Sequence, residues 1–201
     1  MVRPCVAKDF FVDLVGDGSC INVSGLSLER CSGPSWISAR GDLLAPVVAA
    51  YQALRGVSFL VASTFVAEVG DVRRFTTPKQ LMAFLGLVPS ERTTGDNVRR
   101  GAITKTGNSR ARRVLVEAAW TYRHSARVSQ ILQDRLKGLP QAVRTIAWKA
   151  QVRLCARYRR LIANGKKPAV ATTAIAREIA AFLWAIGQQA EPQAPTAVTS
   201  N

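Results

Sequence analysis

Between residues 143 and 161 apolar side chains recur at Val143, Ala147, Ala150, Leu154, Tyr158 and Leu161, spaced four, three, four, four and three residues apart. That is the period of one face of an α-helix, held over about five turns. A helix with a single apolar stripe has to bury it, and the simplest cover is another helix with a stripe of its own.

The sequence supplies such partners. From Leu43 onward it runs in Ala-, Leu- and Val-rich segments separated by Gly and Pro, the punctuation of capped helices. One helix is predicted over residues 43–54 and a second over 59–69. Thr77-Pro78 reads as an N-cap followed by proline at the first helical position, opening a short helix through Leu81, Phe84 and Leu85 that Gly86 closes. Another helix starts at Asn108 or Ser109, with Ala111, Leu115, Ala118 and Tyr122 on its buried stripe and Arg110, Arg112 and Arg113 off it. After the Gly138-Leu139-Pro140 break comes the long helix. Pro168 opens a last one, with Ile175, Ile179, Phe182 and Ile186 buried and Gly187 as its stop. Trp120, Trp148 and Trp184 fall inside helices, where aromatic side chains ordinarily pack into the core.

Two stretches depart from this texture. Residues 1–42 mix Gly, Ser, Cys and acids without a sustained period, with Phe10 to Val15 as the only strand candidate, and read as a poorly ordered or non-native leader. Residues 87–107 place Pro89, Gly95, Gly101 and Gly107 among Arg92, Arg99, Arg100 and Lys105 and read as a long basic loop. The expected fold is mainly α: a compact helical domain over residues 43–187, followed by a flexible tail over 188–201.

Arg55-Gly56-Val57-Ser58 joins the first two helices in the manner of a degenerate helix-hairpin-helix. There a glycine allows the tight turn and amides at the next helix start face a phosphate. Ser58 stands where the second glycine would be, and a plain helical turn within the core is the other reading of the same residues.

The chain carries 28 Lys and Arg against 13 Asp and Glu, a net charge of +15. The excess is not uniform: residues 1–42 sum to −1, so the helical segment and tail hold +16. A polyanionic partner follows, met by Gly56 and by Arg92, Arg99, Arg100, Lys105, Arg110, Arg112 and Arg113. Guanidinium groups hold phosphate oxygens in pairs, which warrants the arginines; a solvated basic face is the plainer alternative. No apolar run approaches the length of a membrane span, and Asp9, Asp13 and Asp17 argue against a signal peptide, so a cytoplasmic, nucleoid-associated protein is expected, with no membrane partner. Cys5, Cys20, Cys31 and Cys155 lack paired CxxC spacing and His124 is the only histidine, so neither a zinc site nor a disulfide framework is expected.

The block from Thr77 to Arg113, TPKQLMAFLGLVPSERTTGDNVRRGAITKTGNSRARR, continuing into VLVEAAWTYR, resembles the C-terminal domain of the IS-one-ten type of insertion-sequence transposase, a domain also named for the one-one-six and nine-oh-two elements. The likeness extends over roughly Leu44 to Gly187. It implies DNA binding and DNA transposition by site-specific recombination, guided in full-length members by a non-coding RNA. It also implies an N-terminal domain whose Asp and Glu side chains bind a divalent metal, with no cofactor in the present segment, so the chain is expected to be truncated at its N-terminus and incomplete alone. In the family a serine shortly after the GLVP motif, directly before a glycine, attacks the phosphodiester; the matching residue here is Thr94, before Gly95. Taken by itself Thr93-Thr94-Gly95 reads as a polar turn. The partners implied are DNA, a guide RNA, and a further copy of this chain or of an intact transposase. A non-catalytic nucleic-acid-binding remnant or accessory regulator is the competing reading, and an RNA-only basic protein a weaker third.

Overall fold

The computed structural model describes residues 44–94 and 97–190, with the backbone alone between 92 and 100. The leader, including Phe10 to Val15, and the tail beyond Ala190 lie outside the described residues.

Among the described residues the elements are seven helices and one hairpin: α1 over residues 44–51, α2 Phe59–Val69, α3 Pro78–Phe84, β1 Pro89–Thr94, β2 Asn97–Ile103, α4 Ser109–Ala119, α5 Gln130–Leu136, α6 Gln141–Ala163 and α7 Pro168–Gln189. Short 3-10 turns at Val72–Arg74 and Trp120–Arg123 follow α2 and α4. The architecture is mainly α, as the stripes require.

α7 is the central helix, packed against α3, α4 and α6, while α2 packs against α4. Its Ile175, Ile179, Leu183 and Ile186 are fully buried, and Ala171, Ala176 and Ala180 let its neighbours approach. α6 buries Val143, Ala147, Ala150, Leu154 and Tyr158, and α4 buries Ala111, Leu115 and Ala118, with Tyr122 just beyond its end. Most of these are residues the helical periods single out, although Leu161 on the α6 stripe is only partly buried. Among the described residues α7 is the one helix that by length and composition would be long and apolar enough to cross a membrane, contrary to the reading that no run approaches a span. Here that apolarity serves a helix covered on several sides by others.

Several elements differ from expectation for identifiable reasons. α1 ends at residue 51 rather than 54, its chain passing through turns to Gly56, whose φ of +82° reverses the direction. Gly187 does not stop α7. It lies inside the helix, where a Cβ would run into Val72 and the Tyr51 hydroxyl, so its glycine serves close packing rather than capping. Phe182 is only partly buried, and Leu183, one residue on, takes the core position. The basic loop is not a loop. Its residues pair as an antiparallel hairpin with Thr94 opposite Asn97, Thr93 opposite Val98, Arg92 opposite Arg99, Glu91 opposite Arg100, and an irregularity between Pro89 and Glu91. Thr93, Thr94, Val98 and Ile103 are β-branched, and a Gly-Asp pair lies between the strands, a composition suited to a two-residue connection.

Candidate nucleic-acid interface

The hairpin is tied to the helical body at its base. Thr104 donates its amide to Val88 O at 2.9 Å, Lys105 to Gly86 O at 3.1 Å and Asn108 to Phe84 O at 3.2 Å, so the chain leaving β2 runs back along the chain that entered β1. Gly86 and Gly107 make this approach possible. Both have positive φ, +65° and +86°, and a Cβ on either would strike the opposing backbone, at Thr106 and Phe84 respectively. Ser90 closes the irregular register from the side, its hydroxyl donating to Ala102 O at 3.0 Å.

α4 begins where this strap ends. Asn108 caps it, accepting the Ala111 amide at 2.9 Å, while its Nδ2 donates to Glu68 Oε2 at 2.6 Å. Of the arginines in its first turns, Arg112 turns back and donates to Leu85 O at 2.9 Å and Thr106 O at 3.4 Å, locking α3, the strap and α4 together. Arg110 and Arg113 stay highly exposed, Arg110 loosely paired with Glu68 at 3.7 Å and Arg113 hydrogen-bonded to Glu117 at 3.0 Å. Exposed pairs of that kind are worth only about 0.2–1 kcal/mol and yield readily to a stronger anion. Lys105 is exposed and holds φ +58°, a left-handed backbone unusual for a side chain other than glycine.

The expected site residues therefore divide. Lys105, Arg110, Arg112 and Arg113 gather around the strap and the start of α4. Arg92 and Thr94 are in β1, and Arg99 and Arg100 in β2, with Thr94 the last residue of its strand. Gly56 stands apart, at the other end of α4, where a Cβ would meet Ala118 O and the Thr121 side chain. At the next helix start Ser58 accepts the Val61 amide at 3.4 Å, capping α2. Among the described residues no three His, Cys, Asp or Glu side chains gather as ligands for a metal ion.

Sequence reasoning did not anticipate two exposed tryptophans. Trp184 is half-buried and donates Nε1–H to Phe75 O at 2.8 Å, but Trp120 and Trp148 are 39% and 49% exposed. Trp148 follows Ala147 and so sits off the buried stripe of α6. It borders a groove of about 1220 Å³ between β2, α6 and α7, with Val152, Val170 and Phe182 on its walls. Lys149, Arg153 and Arg177 also line it; Arg153 and Arg157 both pair with Glu178.

Comparison with known proteins meets this geometry where the hairpin and α4 lie. Residues 49–133, from within α1 into α5, match the family model described as Transposase IS116/IS110/IS902 family. The y4qE transposase homologue of Sinorhizobium fredii is 56% identical over 147 residues, covering 73% of this chain and 38% of its own length. The family 20 transposase of Pseudomonas aeruginosa is 40% identical over 67 residues, 33% of this chain and 20% of that protein. The transposase for insertion sequence element IS1111A of Coxiella burnetii is 38% identical over 68 residues, 34% of this chain and 19% of that one. The chain thus spans well under half the length of these relatives. Its residues 49–133 are similar in sequence to the IS116/IS110/IS902 family of transposases.

Proposed function

We propose that this chain is the DNA-handling part of an insertion-sequence transposase, acting on nucleoid DNA in the cytoplasm. It grips the phosphate backbone with the hairpin and the exposed face at the start of α4. The observation that carries the reading is the anchored hairpin: Arg92, Arg99 and Arg100 lie on two strands whose base is fixed by three backbone hydrogen bonds beside Lys105, Arg110 and Arg113. In the hairpin, Arg92 and Arg99 occupy opposite register positions. Arg112 acts here as a positioning residue, holding the strap against α4. Guide RNA presents the same phosphate chemistry and is a second polyanion for the same surface, and a further copy of the chain or an intact transposase would complete the assembly.

Thr94 is the proposed nucleophile. Its Oγ forms a bond to a backbone phosphorus while the bond from that phosphorus to a deoxyribose oxygen breaks. The hydroxyl proton passes to a base and the departing sugar oxygen takes one up, leaving the strand linked to the protein as a phosphodiester. The arginines around the hairpin neutralise the charge that develops on the phosphoryl oxygens. Threonine carries a methyl group that crowds in-line attack, and this favours a second reading, a binding module without strand transfer. Incubating the full chain with DNA of element ends and searching for a protein-linked strand separates the two. An adduct on Thr94, absent from Thr94→Ala, supports the transferase. Salt-sensitive binding with an adduct in Thr94→Ser alone selects the binding module, and no binding to any nucleic acid removes both.

A further inference from the structure

At the far end of α4 from the hairpin a cavity of about 480 Å³ opens between the α1–α2 turn, the segment after the 3-10 turn at Trp120–Arg123, and α5. Three arginines line it, Arg55, Arg127 and Arg135, together with His124, Ser125 and Ser129. No carboxylate is on its wall. Elsewhere Arg110, Arg113, Arg153 and Arg157 each have an Asp or Glu partner. Among the described residues none of the three cavity arginines has one.

Their placement is fixed by the fold. Arg55 donates to Ser125 O at 2.7 Å near the Cys155 thiol, Arg135 reaches Val57 O at 3.4 Å, and the buried Gln151 side chain donates to Arg127 O at 2.7 Å. Three like charges held around one concavity repel one another, and in a partly enclosed site that repulsion is weakly screened. An anion with several acceptor oxygens relieves it, and guanidinium groups bind phosphate in two-point fashion.

We infer that this cavity is a phosphate-binding pocket, separate from the hairpin, in which Arg127 and Arg135 take the oxygens, Arg55 supplies charge from behind, and the Ser129 hydroxyl adds a donor. α4 has eleven residues, so it separates the two basic regions by about 16 Å, at 1.5 Å per residue. A nucleic-acid backbone bound at the hairpin is thereby offered a second anchoring point at the helix's other end. The assignment of a backbone phosphate rests on the DNA-binding reading above; the capture of a phosphate does not.

The test uses the full chain, Arg127→Gln, and the Arg127→Gln/Arg135→Gln pair, with a labelled duplex of element-end DNA in one arm and inorganic phosphate in the other. For a backbone phosphate, the pair is expected to weaken duplex binding at least tenfold at 0.1 M salt and to lower the slope of log K against log salt by about 2. Arg127→Gln, whose side chain is exposed, gives about half that slope change and serves where the pair fails to fold. For a free phosphate, the duplex slope stays, and phosphate raises the melting temperature of the native chain but not of the variants. Either result supports the pocket and tells its source. A duplex slope and a phosphate response both unchanged in the variants overturn it. Failure of the native chain to bind DNA at all sinks the DNA-binding reading, while the phosphate arm still decides the pocket.

Discussion

Gly86 shows how far one residue can set a site. Its φ of +65° costs a side chain about 1–2 kcal/mol, and a Cβ there would also collide with the Thr106 backbone. Gly86→Ala is expected to lower unfolding free energy by at least about 2 kcal/mol in urea titration. Tyr122 points the other way. It is fully buried and its hydroxyl has no hydrogen-bond partner among the described residues, so Tyr122→Phe is expected to hold or raise stability by up to about 1 kcal/mol. Burial pushes the Cys155 thiol upward, against the pull of Arg55 and Arg159. It should therefore resist alkylation at neutral pH until the chain unfolds, as peptide mapping after iodoacetamide would reveal. Periodicity identified Tyr122 as core, because a stripe records burial. It could not identify Gly187 as a packing residue, since a glycine near a helix end looks alike whether it caps the helix or admits a neighbour. Nor did it place Trp148, because residence in a helix says nothing about which face a residue occupies unless the register is followed.

Among the elements, the helices with apolar stripes were legible and the hairpin was not. α2 lies where the sequence puts it, and α3 follows from Thr77-Pro78 and Gly86, although Thr77 makes no side-chain capping bond and Gln80 accepts the Thr76 amide at 2.9 Å instead. β1 and β2 escape because they pair with each other rather than presenting one alternating face to a core, so composition shows only charge and glycine. α5 is short, with Leu132 as its buried residue, and too brief to establish a period. The junction of hairpin and α4 depends on Asn108. Asn108→Ala is expected to cost about 1 kcal/mol through the lost cap. It also frees Glu68 to pair more closely with Arg110, so DNA affinity in an anisotropy titration should fall more than stability alone explains.

For the molecule as a whole, charge and helical period together fix the class, a basic helical domain, and the resemblance over the hairpin segment supplies the family. What they leave open is the arrangement of the basic residues, which depends on contacts between distant segments such as Arg55 with Ser125. Stability should decline on the alkaline side. Burial raises Tyr51, Tyr122 and Cys155 above their ordinary values of 10.0, 10.0 and 9.0, so the folded chain keeps protons the unfolded chain has released. Their contribution is complete below about pH 9 and is lost as pH climbs through those ordinary values toward the raised ones. Melting temperature across pH 7 to 11 would show it, with a shallower fall in Tyr122→Phe.

The bond from Thr104 N to Val88 O, 2.9 Å long, means that the chain enters and leaves the hairpin at nearly one point. To the helical body, residues 89–103 are therefore an excursion that can be bypassed. Joining Val88 to Thr104 through an Asn-Gly turn should leave a scaffold that folds without its arm. The same junction would accept the corresponding arm of a related protein, so that the arm becomes a part that can be exchanged between otherwise unaltered bodies, and under the proposed function any preference among DNA ends it carries would move with it.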